Sequence, residues 1–137
     1  MSDWMQRYLD AWNSHDGAKV AAFMAEDATY EDVALGSIHD GRDAIEAFVD
    51  ETEQFSKDYR FTSVSEQASG DRYAFEWEMT GTNTGEVAGL PATNKPYSTR
   101  GVSIGRVDAD GKITQNRDYW NMAEYLMQVG ILPAPEA

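Results

Sequence analysis

Two aspartates and a tyrosine are the side chains best suited to move a proton. Asp32 ends the stretch Ala28-Thr29-Tyr30-Glu31-Asp32 and precedes Gly36-Ser37. A carboxylate at a strand end, beside a loop and facing two apolar helices, sits at the mouth of a cavity. Loss of solvent there raises its pKa into the range useful for proton transfer. Asp118 lies in Gly111-Lys112-Ile113-Thr114-Gln115-Asn116-Arg117-Asp118-Tyr119-Trp120-Asn121. Strand alternation puts Asn116, Asp118 and Trp120 on one face and Arg117, Tyr119 and Asn121 on the other. An aspartate beside a tryptophan on a cavity wall is also desolvated. Each has a plainer alternative: Asp32 as a solvated strand end or loop cap, Asp118 as the partner of Arg100 or Arg106 in an ion pair. Tyr8 offers a phenol that donates to a developing oxyanion, or is simply a half-buried helix tyrosine.

The elements that must hold these groups follow from periodicity. Met5, Tyr8, Leu9 and Trp12 share one face of an N-terminal helix. Ser14-His15-Asp16-Gly17 ends it, and Asp16 caps a short helix from Ala18 to Met24. Ala28 to Val33 reads as a strand. Asp40 is the expected N-cap of a helix from Arg42 to about Phe55, whose apolar face is Ala44, Ile45, Phe48, Val49 and Phe55. Strands follow at Tyr59–Gln67, Tyr73–Asn83, Tyr97–Asp108 and Lys112–Trp120, with tight turns at Ser69-Gly70-Asp71-Arg72 and Asp108-Ala109-Asp110-Gly111. Thr84 to Pro96 is a looser connection, Asn121 to Val129 a short closing helix, and Ala134 to Ala137 a disordered tail. Helices first and an antiparallel meander afterwards is an α+β pattern. The 137 residues form one domain, 1–137, without internal repeats.

Composition narrows the function classes. The formal charge of −13 argues against nucleic acid and anionic membranes as partners. Absence of cysteine excludes disulfides, thiolate metal sites and cysteine nucleophiles. No apolar run approaches the ~20 residues that span a bilayer, and no basic stretch followed by an apolar one opens the chain. A cytoplasmic location is the expectation. His15 and His39 lack the helical pairing of a metal site, and Glu26, Asp27, Glu31 and Asp32 lack an EF-hand spacing and read as a solvated edge. Neither a metal nor a cofactor is expected. His39, ahead of the second helix, lies in a surface loop or lines the cavity mouth.

The segments Arg7 to Asp16, Glu26 to Asp32 and His39 to Ile45 resemble the N-terminal part of the nuclear transport factor 2-like superfamily, which includes ketosteroid isomerases and SnoaL-like polyketide cyclases. The separation of Tyr8 and Asp32, 24 positions, is similar to that between an oxyanion-binding tyrosine and the general-base aspartate of the isomerases. The position of their second oxyanion donor is matched here by Ser103, a weaker donor than a carboxylic acid. Trp77, Gly81 to Gly85, Gly89 to Lys95, and the stretch from Gly111 to Gly130 resemble the cyclases, and the likeness spans about Arg7 to Gly130. In the cyclases an aspartate on the last strand is the acid/base of an aldol closure, and the resemblance places Asp118 there. Asn121 stands where relatives often carry a second aspartate. Limonene-epoxide-hydrolase-like enzymes share the fold but use an Arg-x-Asp step; here Arg100 is followed by Gly101 and Val102.

The resemblance implies a cone-shaped α+β barrel, a curved antiparallel sheet wrapped around the N-terminal helices, and a homodimer through the outer face of the sheet. Trp12, Phe23, Phe48, Trp77, Met79 and Trp120 are the expected lining or core. The expected ligand is a mostly apolar carbonyl compound. The expected chemistry is cofactor-free aldol cyclisation or isomerisation, with Asp118, Asp32 and Tyr8 as catalytic candidates. Ser103, Asn116 and His39 join the tryptophans in the pocket. The alternative is a non-catalytic binding or association module of the same fold.

Overall fold

A computed structural model describes residues 2–86 and 88–134. The elements run α1 (Ser2–Asn13), α2 (Gly17–Ala21), β1 (Met24–Asp32), β2 (Ser37–Asp40), α3 (Arg42–Phe55), β3 (Arg60–Ser69), β4 (Arg72–Thr82), β5 (Pro96–Val107), β6 (Ile113–Trp120) and α4 (Met122–Gln128). The helical face of α1 is the one its spacing announces: Met5, Tyr8, Leu9 and Trp12 are all buried. At about 1.5–3 kcal/mol for each large apolar side chain removed from water, that face anchors the helix to the sheet. Asp16 caps α2 as expected, accepting from the Ala18 amide at 3.0 Å. The helix is shorter than its pattern suggests, because β1 begins at Met24.

The cap of α3 differs from expectation. Asp40 closes β2, paired with Thr29, so it lies one residue too early. Gly41 takes the cap position without a side-chain hydrogen bond. β2 itself falls where the sequence shows only a loop. It is a four-residue edge strand with an alternating half-exposed pattern, too short and too polar to carry a periodic signal.

The six strands form one curved sheet in the order β2-β1-β6-β5-β4-β3. β2 and β3 are free edges, so the cone does not close into a barrel. Every neighbouring pair is antiparallel except β1 and β6, which run parallel. A meander cannot produce that pairing, since parallel neighbours need a long crossover. Here the crossover is all of the chain from β2 through β5. The core lies between the helices and the inner face of the sheet. Phe23 packs against Trp4 and Tyr8 in that core. The loose connection after β4 is as expected, and the expectation for the tail falls, apart from Ala134, outside the described residues. No described helix is long and apolar enough to cross a membrane.

Candidate active site

Register places the key side chains in one row across the inner face. Ser37 on β2 pairs with Asp32 on β1, Asp32 with Asp118 on β6, Asp118 with Ser103 on β5, and Ser103 with Phe75 on β4. The two aspartates, 86 positions apart in the chain, are thus side-by-side neighbours on parallel strands. Both are buried, at 6% and 7% exposure. The next row holds Tyr30, Asn116, Gly105 and Tyr73.

Asp118 is the focus of a hydrogen-bond network that runs one way. The Trp77 indole N–H, which can only donate, gives to Ser103 Oγ at 2.9 Å. Ser103 Oγ in turn donates to Asp118 Oδ1 at 2.6 Å. The Tyr73 hydroxyl donates to Asn116 Oδ1 at 2.6 Å, which turns the Asn116 amide so that Nδ2 donates to Asp118 Oδ1 at 2.9 Å. The Tyr30 hydroxyl donates to Asp118 Oδ2. Two glycines make room for this. A Cβ at Gly101 would collide with the Trp77 ring, and one at Gly105 with the Tyr73 hydroxyl. Asp32 has its own donors: the Trp120 indole N–H at 3.0 and 3.1 Å from its two oxygens, and the Leu35 amide at 2.9 Å. Among the described residues no lysine or arginine forms an ion pair with either aspartate, and His39 is the one basic side chain that acts on Asp32. Arg100 and Arg106 lie on the opposite face of β5, so the ion pair considered for Asp118 does not form.

Both carboxylates face a cavity of about 490 Å³. Its walls are mainly apolar and aromatic; Trp12, Phe48, Phe61, Trp77, Met79 and Trp120 all contribute. Tyr8 lines it too, with its hydroxyl buried near the Trp12 and Tyr30 side chains. Tyr125, packed edge-on against Trp120, also lines it, and its buried hydroxyl has no hydrogen-bond partner among the described residues. His39 lies at the rim, on β2 rather than in a loop, stacked on Phe48 at 4.2 Å with Nε2 3.1 Å from Ser37 Oγ.

Burial dominates the electrostatics. Desolvation pushes Asp118 up to about 6 against the pull of Ser103, Tyr30 and Asn116, and the charge of Asp32 adds to the rise. Burial also raises Asp32, opposed by the Leu35 amide and the Trp120 indole. Burial, then the charge of Asp118, raises Tyr8 and Tyr30, so both phenols stay protonated donors. Burial pushes Tyr125 up to about 12 and lowers His39. A carboxylate near neutrality, fixed donors and an apolar wall are the components of general acid–base chemistry on a carbonyl compound. Among the described residues no group of three or more histidine or acidic side chains converges to hold a metal.

The structure brings Asp118, Asp32, Tyr8, Ser103, His39, Trp12, Trp77 and Trp120 to one cavity. Three placements differ from expectation. Asn116 is behind Asp118 and does not line the cavity. Ser103 is already engaged, between Trp77 and Asp118, so it is no free oxyanion donor. The indole N–H of Trp120 is directed at Asp32, not at its strand neighbour Asp118. Asp32 also leaves the solvated acidic edge: Glu26 and Asp27 are exposed while Asp32 is buried. Tyr30 was not anticipated. It shares the buried parity of Ala28 and Asp32, which is a legible signal, but its meeting with Asp118 depends on the β1–β6 pairing.

Comparison with known proteins agrees with this architecture. The model of the SnoaL-like domain matches residues 5–116. The chain is 32% identical over 114 residues to a steroid Delta-isomerase of Nocardioides simplex, covering 83% of this chain and 84% of that protein. A crystal structure of a proposed polyketide cyclase from Xanthomonas campestris pv. campestris is 28% identical with a TM-score of 0.78, covering 93% of this chain and 95% of that one. A protein of ketosteroid isomerase-like fold from Catenulispora acidiphila superposes with a TM-score of 0.83 at 22% identity, covering 93% and 92%. The chain belongs to the SnoaL-like domain family. The family match ends just before Asp118, which the fold puts on the cavity wall.

Proposed function

We propose that the protein catalyses cofactor-free proton transfer on a mostly apolar carbonyl compound, with Asp118 as the acid/base. The observation that carries this reading is a carboxyl group buried on the wall of an apolar cavity, held by three side-chain donors and no cation, and raised to about 6. A group that titrates there is ionised enough at neutral pH to take a proton from carbon and basic enough to hold it. Tyr8 is the donor proposed for the developing oxyanion, since it lines the cavity and its phenol is kept protonated by burial. Aldol ring closure ranks ahead of double-bond isomerisation. The second donor that isomerisation would use is represented by Ser103, whose hydroxyl is committed to Asp118.

The test is turnover. Purified protein is assayed by NMR in deuterated water for exchange of the acidic C–H of 2-tetralone, an apolar enolisable ketone, and separately for isomerisation of a 3-oxo-Δ5-steroid. Exchange that disappears in Asp118→Asn supports the reading. Faster steroid isomerisation that depends on Asp32 instead would move the assignment to an isomerase. We also propose a homodimer through the outer face of the sheet, which exposes Ile38 at 63% and Tyr119 at 44%. Light scattering at micromolar concentration is expected to give twice the chain mass of 15.3 kDa; the mass of one chain would contradict it.

A further inference from the structure

The outer face of the sheet carries a second hollow, apart from the cavity that holds the aspartates. It encloses about 190 Å³, and Arg72 on β4, Ile104 and Arg106 on β5, and Gln115 and Arg117 on β6 line it, with Tyr73 and Gly105. Register brings the charged side chains together. Arg72 pairs directly with Arg106, and Arg106 with Gln115. Ile104, two residues before Arg106, pairs with Arg117. Side chains directly opposite on antiparallel strands have Cβ atoms about 5 Å apart. The register of β5 and β6 also slips between Arg106 and Val107. Such a bulge increases the local twist, and the hollow sits beside it.

Like charges directly opposite one another destabilise a strand pair, so this arrangement costs stability unless something neutralises it. The chain itself does not. Among the described residues no carboxylate lies within ion-pair distance of Arg72, Arg106 or Arg117, although the sequence has 24 acidic side chains against 11 lysines and arginines. Glu31 is the neighbour of Arg117 in the β1–β6 register and still forms no ion pair with it. Asp108, in the adjoining turn, accepts from the Asp110 and Lys112 amides instead. Three arginines therefore converge without a counter-charge in a protein whose formal charge is −13.

We propose that this hollow binds a doubly charged oxyanion of the phosphate type. The planar fork of a guanidinium matches the spacing of such oxygens, and each contact is a charge-assisted hydrogen bond. Arg72, Arg106 and Arg117 approach from three adjacent strands, and the Gln115 amide adds a neutral donor. The net charge of the chain repels anions at long range. Within a Debye length of about 8 Å, however, the three arginines dominate. The hollow is distinct from the part of the outer face that exposes Tyr119, which pairs with Val102, four residues along β5 from Arg106. It also lies on the opposite side of the sheet from Asp118, so the anion takes no part in proton transfer.

The test is thermal unfolding of the dialysed full chain at pH 7.5 and fixed ionic strength, with sodium chloride replaced stepwise by sodium phosphate or by phenyl phosphate. Phosphate is expected to raise Tm by about 3–5 °C, with half-saturation near about 1 mM. A similar rise with phenyl phosphate would extend the site to phosphate monoesters, and a rise with phosphate alone would limit it to the free ion; either supports the proposal. Arg106→Gln removes a like-charge contact, so its Tm in chloride should be no lower than that of the wild type. Its half-saturation should be weaker by about tenfold or more. Arg72→Gln gives the same reading if circular dichroism shows that Arg106→Gln does not fold. Arg100→Gln, on the outer face of β5 but outside the hollow, should keep the full response. No rise with phosphate, an equal rise in Arg106→Gln, or a rise only above about 0.1 M, an adventitious ion only, would overturn the site. A mass for Arg106→Gln half that of the wild type in light scattering would also overturn it, because the arginines would then belong to an interface with a second copy.

Discussion

The two faces of β5 and β6 are made from the same strands, residue by residue, and behave as different materials. Toward the helices point Ser103, Asn116 and Asp118, buried and with their polar atoms paired to one another, and Trp120, half-buried and paired to Asp32. Toward solvent point Arg100, Arg106, Gln115 and Tyr119, exposed. Arg117 and Asp118 are consecutive, yet one lies on each side. On the outer face a charge is screened and its pairing is worth about 0–1 kcal/mol. On the inner face burial outweighs three hydrogen-bond donors and pushes the Asp118 carboxyl up to about 6. Only the inner face removes water from its carboxyls, so the proposed chemistry belongs to that side of the sheet.

The largest expected effect breaks the comparison on the inner face. Asp118→Asn should retain the fold and ligand binding, because an amide fills the same volume, while lowering turnover about 100-fold or more. Asp32→Asn should lower it less. Measured kcat on one ketone for both variants checks the order, and the reverse order would transfer the principal role to Asp32.

The second effect is on stability. A carboxyl whose folded pKa is raised from about 3.8 to about 6 favours the folded state fully below pH 4. That contribution is lost as pH rises through about 6. Relative to Asp118→Asn, the wild type should therefore lose about 2–3 kcal/mol between pH 4 and pH 7. Urea denaturation of both proteins across that range measures the difference, and parallel curves would show that Asp118 is not desolvated.

A smaller effect sharpens the role of the network. Ser103→Ala removes one donor from Asp118 Oδ1 and leaves the Trp77 N–H without its partner. A hydrogen bond to a charged group contributes about 1.5–3 kcal/mol. The Asp118 pKa should thus rise by about one unit, with the acid limb of the pH–rate profile following. The smallest effect is on the other side. Arg117→Ala should change turnover by less than about twofold and stability by less than about 0.5 kcal/mol, although it borders Asp118 in sequence. A large loss of turnover would show that the outer face reaches the site.

Much of this division could be read from the chain. The alternation of Asn116, Asp118 and Trp120 against Arg117 and Tyr119 identifies the buried face of β6, because period-two parity is a local property. The helix face at Met5, Tyr8, Leu9 and Trp12 is legible for the same reason. The pairing of Asp32 with Asp118 was not legible. It depends on a parallel register between strands at opposite ends of the chain, which no local pattern encodes. β2 was missed because four half-exposed residues carry no periodicity. Ser103 lines the cavity, but its commitment to Asp118 follows from Trp77 lying over Gly101, a packing detail that strand alternation cannot express.

The central claim is that Asp118 is a desolvated carboxyl facing a ligand cavity, and the pH at which it takes up a proton tests this most directly. The ¹³C carboxyl resonance of Asp118 should titrate near pH 6 in the free protein. It should titrate higher still when 2-tetralone fills the cavity and displaces water. A midpoint near pH 4, unmoved by the ketone, would place Asp118 in contact with solvent and contradict the account.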